Sequence, residues 1–233
     1  MNRSLRNSQG PRVVVACRVM EPELEKVRDG DDRVEFRLLD QGLHRTPQKM
    51  PGQIQEQVDL AAEYAKEIVL GYGLCSNGIV GVTARQQGLI VPRCHDCIAF
   101  FLGSPEVYQK AFKERPGTYY LTPGWIAEKK DPLGIVEEEY APRYGQETAN
   151  WVMEEQFKNY THVVLINTGV GELGPLQKRA LENARFLKKK YDEVQGSLEY
   201  FEKLIGVSSE DEDFIFIEPD KKINQDMFLQ EGM

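Results

Sequence analysis

The sequence predicts an α/β fold in which a mainly parallel, Rossmann-like sheet is flanked by helices. Short apolar runs bounded by polar residues are typical of buried parallel strands. Segments in which apolar residues recur every 3.6 residues separate these runs, and they predict the intervening helices. Hydrophobic residues make up 41% and charged residues 28% of the 233 residues, a composition typical of a soluble globular protein.

The first half of the chain predicts four strands and three helices. The run Val13–Ala16 is continuously apolar, and the helix after it has proline in its first turn, where the missing N–H costs nothing. Asp40–Met50 is expected to form a loop. The predicted strands are Val13–Ala16, Val34–Leu39, Ile68–Gly71 and Leu89–Pro92, and the predicted helices are Glu21–Val27, Pro51–Lys66 and Gly78–Gln87.

The second half continues the alternation of strands and helices. Asp96 or Ser104 can cap helical structure that runs to about Lys113. Thr122–Trp125 predicts a turn, and residues 126–160 predict an interrupted helical stretch. The remaining predicted strands are Thr118–Leu121, Thr161–Asn167 and Phe214–Ile217, and the remaining predicted helices are Pro175–Tyr191 and Ser197–Ile205.

The domain organisation has two interpretations that the sequence leaves open. Residues 12–220 form a single α/β domain, or they form lobes 12–121 and 161–218 joined by the helical stretch 122–160. Residues 1–11 are expected to be a disordered lead-in. Residues 221–233 are expected to be a polar tail that covers the surface.

Charge and hydropathy exclude several kinds of partner. The net charge of −8 argues against a nucleic-acid partner. No stretch reaches the ~18 apolar residues of a membrane span, and the N-terminus lacks the apolar region of a secretory signal. We therefore expect a cytoplasmic protein without membrane contact, for which a homo-oligomer remains open. Thiols stay reduced in that compartment, so clustered cysteines indicate metal binding or catalysis rather than disulfides.

All four cysteines follow apolar, strand-like runs. Cys17 ends the first run, Cys75 follows the third, and Cys94 and Cys97 follow Leu89–Pro92. The carboxyl ends of parallel strands open onto one edge of the sheet, where ligands bind. If the strand order is 2-1-3-4, as in flavodoxin-like folds, these thiols and His95 meet at one point. Thiolate and imidazole are ligands that suit zinc or an iron–sulfur cluster.

Further residues are candidates for binding a substrate in the same crevice. Tyr72 and Asn77 flank Cys75, while Arg93 and Asp96 adjoin the other cysteines. Trp125 can wall a pocket at a strand end, although core packing is the favoured interpretation of aromatic residues there.

A glycine-rich loop is a separate candidate for phosphate binding. Thr168 and Gly169 open the loop Gly169–Gly174, which has the spacing of a phosphate-binding loop. Pro175 and Glu172 count against an anion, so a plain turn is favoured.

The motifs around these residues resemble those of a prokaryotic family, the domain of unknown function 1638. The resemblance covers residues 12–220 and rests on Ala16–Cys17, Leu70–Gly78, Pro92–Ile98, Leu102–Ser104, Pro116–Trp125 and Ile166–Gly169. It implies Cys17, Cys75 and Cys97 as the central ligands, with His95 as the fourth ligand or as a partner of one. It gives Cys94 no role, because that position is often not cysteine. It also implies an anaerobic setting near corrinoid-dependent methyltransferases.

Two functional hypotheses follow from the sequence. In the first, the cysteines and His95 hold zinc, or alternatively a [4Fe–4S] cluster, and the protein acts in thiol- or corrinoid-linked methyl transfer. With the cluster, three thiolates would leave one corner open for a substrate or for electron transfer, so a redox enzyme is the alternative to a methyltransferase. Its partner is then a small molecule or a corrinoid protein. In the second, the protein delivers a metal or ligand to a methyltransferase system without turnover of its own. A nucleotide-binding enzyme that uses Gly169–Gly174 ranks below both.

Overall fold

The computed structural model describes residues 10–207 and 211–228, and its central element is a five-stranded sheet. The strand order is β2-β1-β3-β4-β8, which confirms the 2-1-3-4 arrangement of the first four strands. Those four are parallel, while β8 runs antiparallel to β4. The strands are β1 (Arg12–Cys17), β2 (Val34–Leu39), β3 (Glu67–Gly71), β4 (Leu89–Pro92) and β8 (Phe214–Ile217).

A second, three-stranded parallel sheet holds the strands between β4 and β8. Its order is β5-β6-β7, with β5 at Thr118–Leu121, β6 at His162–Asn167 and β7 at Lys190–Gln195. The mainly parallel α/β fold is therefore confirmed, and its strands are divided between two sheets.

The prediction of one helix over Pro175–Tyr191 was wrong at its C-terminal end, where the chain enters strand β7. The helix ends at Phe186, and Lys188 adopts a positive φ of 56° that turns the chain into the strand. Asp192 consequently lies inside β7. The strand is polar because it is an edge, so it lacks the apolar run that reveals β1 or β6.

Helices cover the sheets and connect them. Trp125 lies in a helix that begins at Pro123, where a turn was expected. A π-helical segment, Val136–Tyr140, interrupts the stretch between β5 and β6. The helices are α1 (Glu21–Arg28), α2 (Met50–Ala62), α3 (Ile98–Leu102), α4 (Pro105–Glu114), α5 (Pro123–Ala127), α6 (Pro132–Ile135), α7 (Ala141–Tyr144), α8 (Gln146–Phe157), α9 (Leu173–Phe186) and α10 (Glu199–Gly206).

The segment 78–87, predicted as a helix, forms turns instead. Its backbone hydrogen bonds go to a distant part of the chain: the N–H groups of Gly81 and Ala84 donate to the carbonyls of Ile223 and Lys221 at 2.9 Å. The side chains of Ile223 and Phe228 are buried in the core, so the expected surface tail is anchored at these two residues, while most of the other described tail residues are exposed. The residues after 228 lie outside the described part, as do residues 1–9 of the expected lead-in.

Two hydrophobic cores lie on the two sheets and meet near α5. The larger core surrounds the five-stranded sheet, and the smaller one packs β5 and β6 against α8 and α9. Trp125 packs against both cores. Gly124, beside it, lies so close to Val19 that a Cβ atom would stand 1.7 Å from the Val19 carbonyl oxygen. A glycine is therefore required where α5 meets the chain that leaves β1.

A buried polar contact also joins the two sheets. Thr168, after β6, donates a 2.8 Å hydrogen bond to Oε1 of Glu23 on α1. Both side chains are buried, and Oε2 of Glu23 has no hydrogen-bond partner among the described residues. None of the helices in the described ranges has the length and apolar character needed to cross a membrane.

Candidate functional site

Three cysteines and a tyrosine come together at the carboxyl edge of the five-stranded sheet. We refer to Cys17, Cys75, Cys97 and Tyr72 as the thiol cluster. In the register of β1 and β3, Ala16 pairs with Gly71, so Cys17 and Tyr72 follow side by side. The sulfur atoms of Cys75 and Cys97 are 2.9 Å apart, and all four cysteines of the chain are free. Residues distant in sequence therefore meet where the parallel strands end.

The loop after β3 has an unusual backbone that carries Cys75 to Cys97. Cys75, Ser76 and Asn77 all adopt positive φ, at 45°, 57° and 66°. This left-handed conformation costs a residue with a side chain roughly 1–2 kcal/mol, although asparagine tolerates it better. The N–H of Gly78 closes the turn on the Cys75 carbonyl at 3.1 Å. Strained backbone of this kind is concentrated at functional sites.

Replacing Ser76 with glycine should relieve part of this strain. We expect Ser76→Gly to raise the free energy of unfolding by up to about 1 kcal/mol, because glycine adopts positive φ without a steric cost. Gly81→Ala is the matched opposite change: Gly81 has φ +90° and open space around it, so alanine should destabilise by a similar amount. Urea unfolding measures the stability of both variants. A Ser76→Gly protein that is less stable than the parent would show that the backbone at Ser76 is not strained.

The loop after β4 meets the Cys75 turn through main-chain contacts. The N–H of Leu74 donates to the Cys94 carbonyl at 2.9 Å, and the N–H of Cys75 donates to the His95 carbonyl at 3.1 Å. The N–H of Gly73 points at the sulfur of Cys97 at 3.3 Å. A Cβ atom on Gly73 would stand 2.9 Å from the Cys94 carbonyl oxygen, so only glycine allows this approach.

The surroundings of Cys17 and Cys75 hold these two thiols in their protonated form. Burial raises the pKa of Cys17 to about 12, and the nearby thiol of Cys97 adds to the effect electrostatically. The pKa of Cys75 is raised well above its usual range, first by the hydrogen bond with Cys97 and then by burial. Burial also raises the pKa of Tyr72, and the charges of the three cysteines raise it further. A nearby positive charge would reverse these effects and favour thiolates.

A cleft of about 470 Å³ opens beside the thiol cluster. Cys75 and Cys97 lie on its wall, and Asp96 lies there with its carboxylate accepting hydrogen bonds from the Ile98 N–H at 2.8 Å and the Tyr108 hydroxyl at 3.2 Å. The exposed side chain of His95 also lines the cleft. The volume is within the range of small-molecule binding sites.

The cleft includes only some of the residues predicted to bind a substrate. Asp96 and Trp125 line it. Tyr72 lies behind it in the thiol cluster, and Asn77 is exposed on the turn. Arg93 is directed elsewhere: its guanidinium donates to the carbonyls of Glu212 and Met227, both at 3.2 Å.

The loop after β6 is not part of the cleft lining either. The hydroxyl of Thr168 donates its hydrogen bond to Glu23, and the N–H of Gly169 donates to the Asn167 side chain at 3.0 Å. Gly169 has a φ of +78°, which identifies it as a residue of the turn before α9.

Cys94 lies in the core rather than on the cleft. Its thiol faces Tyr200, and the hydrogen bond from that residue opposes the rise in pKa that burial causes. Cys94 is 2% exposed. It therefore differs from Cys97, which follows it closely in the chain and lines the cleft.

The family of the chain follows from a comparison with known families. A family model described as a protein of unknown function, DUF1638, matches residues 38–205, more than two thirds of the 233 residues. The chain belongs to the DUF1638 family. The chain matches no curated protein and no solved structure.

The DUF1638 match confirms the resemblance indicated by the sequence motifs, over a shorter range than residues 12–220. It contains Cys75, His95, Cys97 and the cleft residues from Gln41 to Tyr160. Cys17 lies before the matched range. The position of Cys17 in the thiol cluster rests on the register of β1 and β3 instead.

His44 is a cleft residue of this DUF1638 chain that sequence reasoning did not select. It belongs to the short 3-10 helix Gln41–Arg45 after β2, and its ring centroid is 6.1 Å from that of Tyr72. Burial lowers the pKa of His44, and the charge of Asp96 opposes this. The strand-end rule applied to the cysteines would also have found His44, because β2 ends at Leu39.

The donor atoms of the thiol cluster fit a soft metal ion, but their spacing is not that of a bound one. Two thiolates on a tetrahedral zinc lie about 3.8 Å apart, since each Zn–S bond is about 2.3 Å. The 2.9 Å between Cys75 and Cys97 would have to widen to accept the ion. Across residues 10–207 and 211–228, no group of three or more His, Cys, Asp or Glu side chains has the geometry of a ready metal site.

Proposed function

We propose that the thiol cluster holds a metal and that the adjoining cleft carries out thiol- or corrinoid-linked methyl transfer. The observation that carries the proposal is the meeting of Cys75 and Cys97, whose sulfur atoms are 2.9 Å apart on the wall of a cleft. Cys17 is buried near Cys97 and does not line the cleft. Zinc, or alternatively a [4Fe–4S] cluster, would supply a positive centre that keeps the thiols ionised and leaves one ligand position open. Without that charge, burial keeps Cys17 and Cys75 protonated and unreactive.

The residues of the cleft would handle the proton and the methyl group during the transfer. His44 has a pKa lowered by burial, so its neutral ring accepts the proton of an incoming substrate thiol. The sulfur of that thiol then supplies the electron pair for the new S–C bond. When the donor is a methyl-corrinoid, cobalt retains the electron pair of the bond that breaks.

Metal analysis of the anaerobically purified protein tests the proposal. We expect one metal ion or cluster per chain, colourless for zinc and brown for iron and sulfur. Cys75→Ser and Cys97→Ser should lose most of it, because each removes a thiolate ligand, and Cys17→Ser should weaken binding at least tenfold. Cys94→Ser is the matched control and should retain the metal, since its thiol faces Tyr200 in the core. His95→Ala tests whether His95 is a fourth ligand: as a ligand it would occupy the position that three thiolates leave open to a substrate.

The outcomes separate the competing functions. Metal loss in the three variants, together with thioether formation from methylcobalamin and a small thiol, supports the proposal. A metal-bound protein without methyl transfer would favour the accessory role of delivering a metal or ligand. A metal-free protein that forms a Cys75–Cys97 disulfide in air would overturn the metal proposal and favour dithiol chemistry.

A further inference from the structure

The part of the cleft away from the sulfur atoms is aromatic. Tyr108 and Phe112 come from α4 with ring centroids 6.1 Å apart, and Tyr120 comes from β5. Trp125 is fixed edge-on against Phe101 with centroids 5.7 Å apart. Phe112 is 51% exposed, so a large apolar ring stands at the mouth of the cleft without cover. Aromatic rings carry negative π density on their faces, so a lining of this kind can attract a positively charged ligand.

The charges in the cleft favour a cation over an anion. Asp96 is hydrogen-bonded only to neutral donors, Ile98 N–H and the Tyr108 hydroxyl, and no Lys, Arg or His side chain in the described ranges forms an ion pair with it. Arg115, the arginine of the lining, is paired with Asp192 of β7 at 2.6 Å. The carboxylate is therefore left available to a positively charged ligand.

We propose that this cleft binds a methylated onium cation, either a quaternary ammonium or a sulfonium. Its methyl groups contact Tyr108, Tyr120 and Trp125, and its charge lies near Asp96. Aromatic faces recognise such cations because the ring quadrupole attracts a charge that is too weakly hydrated to resist desolvation. The inference names a substrate class for the proposed function and rests on it for the fate of the methyl group, whereas the binding itself needs no metal.

A charged ligand and its neutral isostere test the inference directly. The chain has two tryptophans, and Trp151 is 62% exposed on α8, so Trp151→Phe leaves Trp125 as the single fluorescent reporter of the cleft. Choline and 3,3-dimethylbutan-1-ol have the same shape, but only choline is charged. We expect choline to change Trp125 emission in a saturable manner and to bind about tenfold more tightly than the alcohol. Tetramethylammonium and trimethylsulfonium then distinguish the two kinds of cation.

Two cleft variants and one control locate the binding. Tyr120→Leu and Asp96→Asn should each weaken choline binding severalfold, because one removes a ring face and the other removes the charge. Tyr144→Leu removes an equally aromatic side chain that is 60% exposed on α7, and it should bind choline as the parent does. Equal affinity for choline and the alcohol, or no saturable response to any of the cations, would overturn the inference.

A chelator-treated sample separates this inference from the metal proposal. Choline binding that survives in the metal-free protein supports the cation site while the metal proposal is judged by the cysteine variants alone. If the protein retains its metal but binds none of the onium probes, the cation site is refuted and the metal proposal is not.

Discussion

Gly124→Ala is expected to destabilise the protein by about 3 kcal/mol or more, because the added methyl group overlaps a backbone atom that cannot rotate away. The new Cβ would stand 1.7 Å from the carbonyl oxygen of Val19 and 2.6 Å from its carbonyl carbon. To remove the overlap, α5 must move away from the segment after Cys17. That movement displaces Trp125 from the cleft, so the surviving folded protein should also lose choline binding.

Gly52→Ala provides the matched control for this prediction. Gly52 lies in α2, and a Cβ atom there would meet nothing within 4 Å. Alanine in an open helical position should raise the free energy of unfolding by up to about 1 kcal/mol. Urea unfolding measures both variants. Similar stabilities for Gly124→Ala and Gly52→Ala would show that α5 does not pack against Val19 as described.

Above about pH 7, ionisation of the buried Glu23 side chain lowers the free energy of unfolding, and Glu23→Gln should remove this loss of about 3 kcal/mol. Burial raises the pKa of Glu23 to about 7, and the hydrogen bond from Thr168 only partly opposes this. An unfolded glutamate ionises near pH 4.3, so between that pH and about 7 the folded state holds a proton that the unfolded state has released. Stability contributed by Glu23 is therefore complete below the unfolded pKa, declines as the pH rises and is lost above about 7.

The measurement is the difference in unfolding free energy between Glu23→Gln and the parent at several pH values from 5 to 8. Glutamine is neutral at every pH, so the free energy of unfolding of the variant should rise relative to that of the parent as the pH increases. Glu25→Gln is the control, because Glu25 is exposed on the same helix and pairs with Arg28 at 2.5 Å. A difference that stays constant across this range would contradict the buried, protonated carboxyl.

The first sheet was predictable because its strands are apolar and short. Val13–Ala16 and Ile68–Gly71 are buried on both faces, which leaves a continuous hydrophobic run in the sequence. Strand β7 has no such run, since an edge strand is solvated and polar. The turns over 78–87 were missed because their hydrogen bonds go to residues 221–223, and local sequence contains no signal for a partner so far away.

The meeting of Cys75 and Cys97 follows from one rule about strand ends and one assumption about strand order. The left-handed turn at Cys75 and Ser76 was not predictable, because neither residue type prefers positive φ. Arg93 was assigned to the cleft from its position beside Cys94. Arg93 faces Met227, however, and Cys94 itself lies in the core, so adjacency in sequence did not place either residue on the cleft.

The hydrogen bonds between residues 81–84 and 221–223 also affect how the chain folds during its synthesis on the ribosome. Strands β1 to β4 are synthesised early, yet the turns that follow Cys75 have their backbone partners in a segment made much later. Until that segment emerges, this loop lacks its partners and β4 lacks its neighbour β8. A nascent chain would therefore carry Cys75 on an unfinished loop, and the thiol cluster would take its final arrangement only after residues 221–223 have been synthesised.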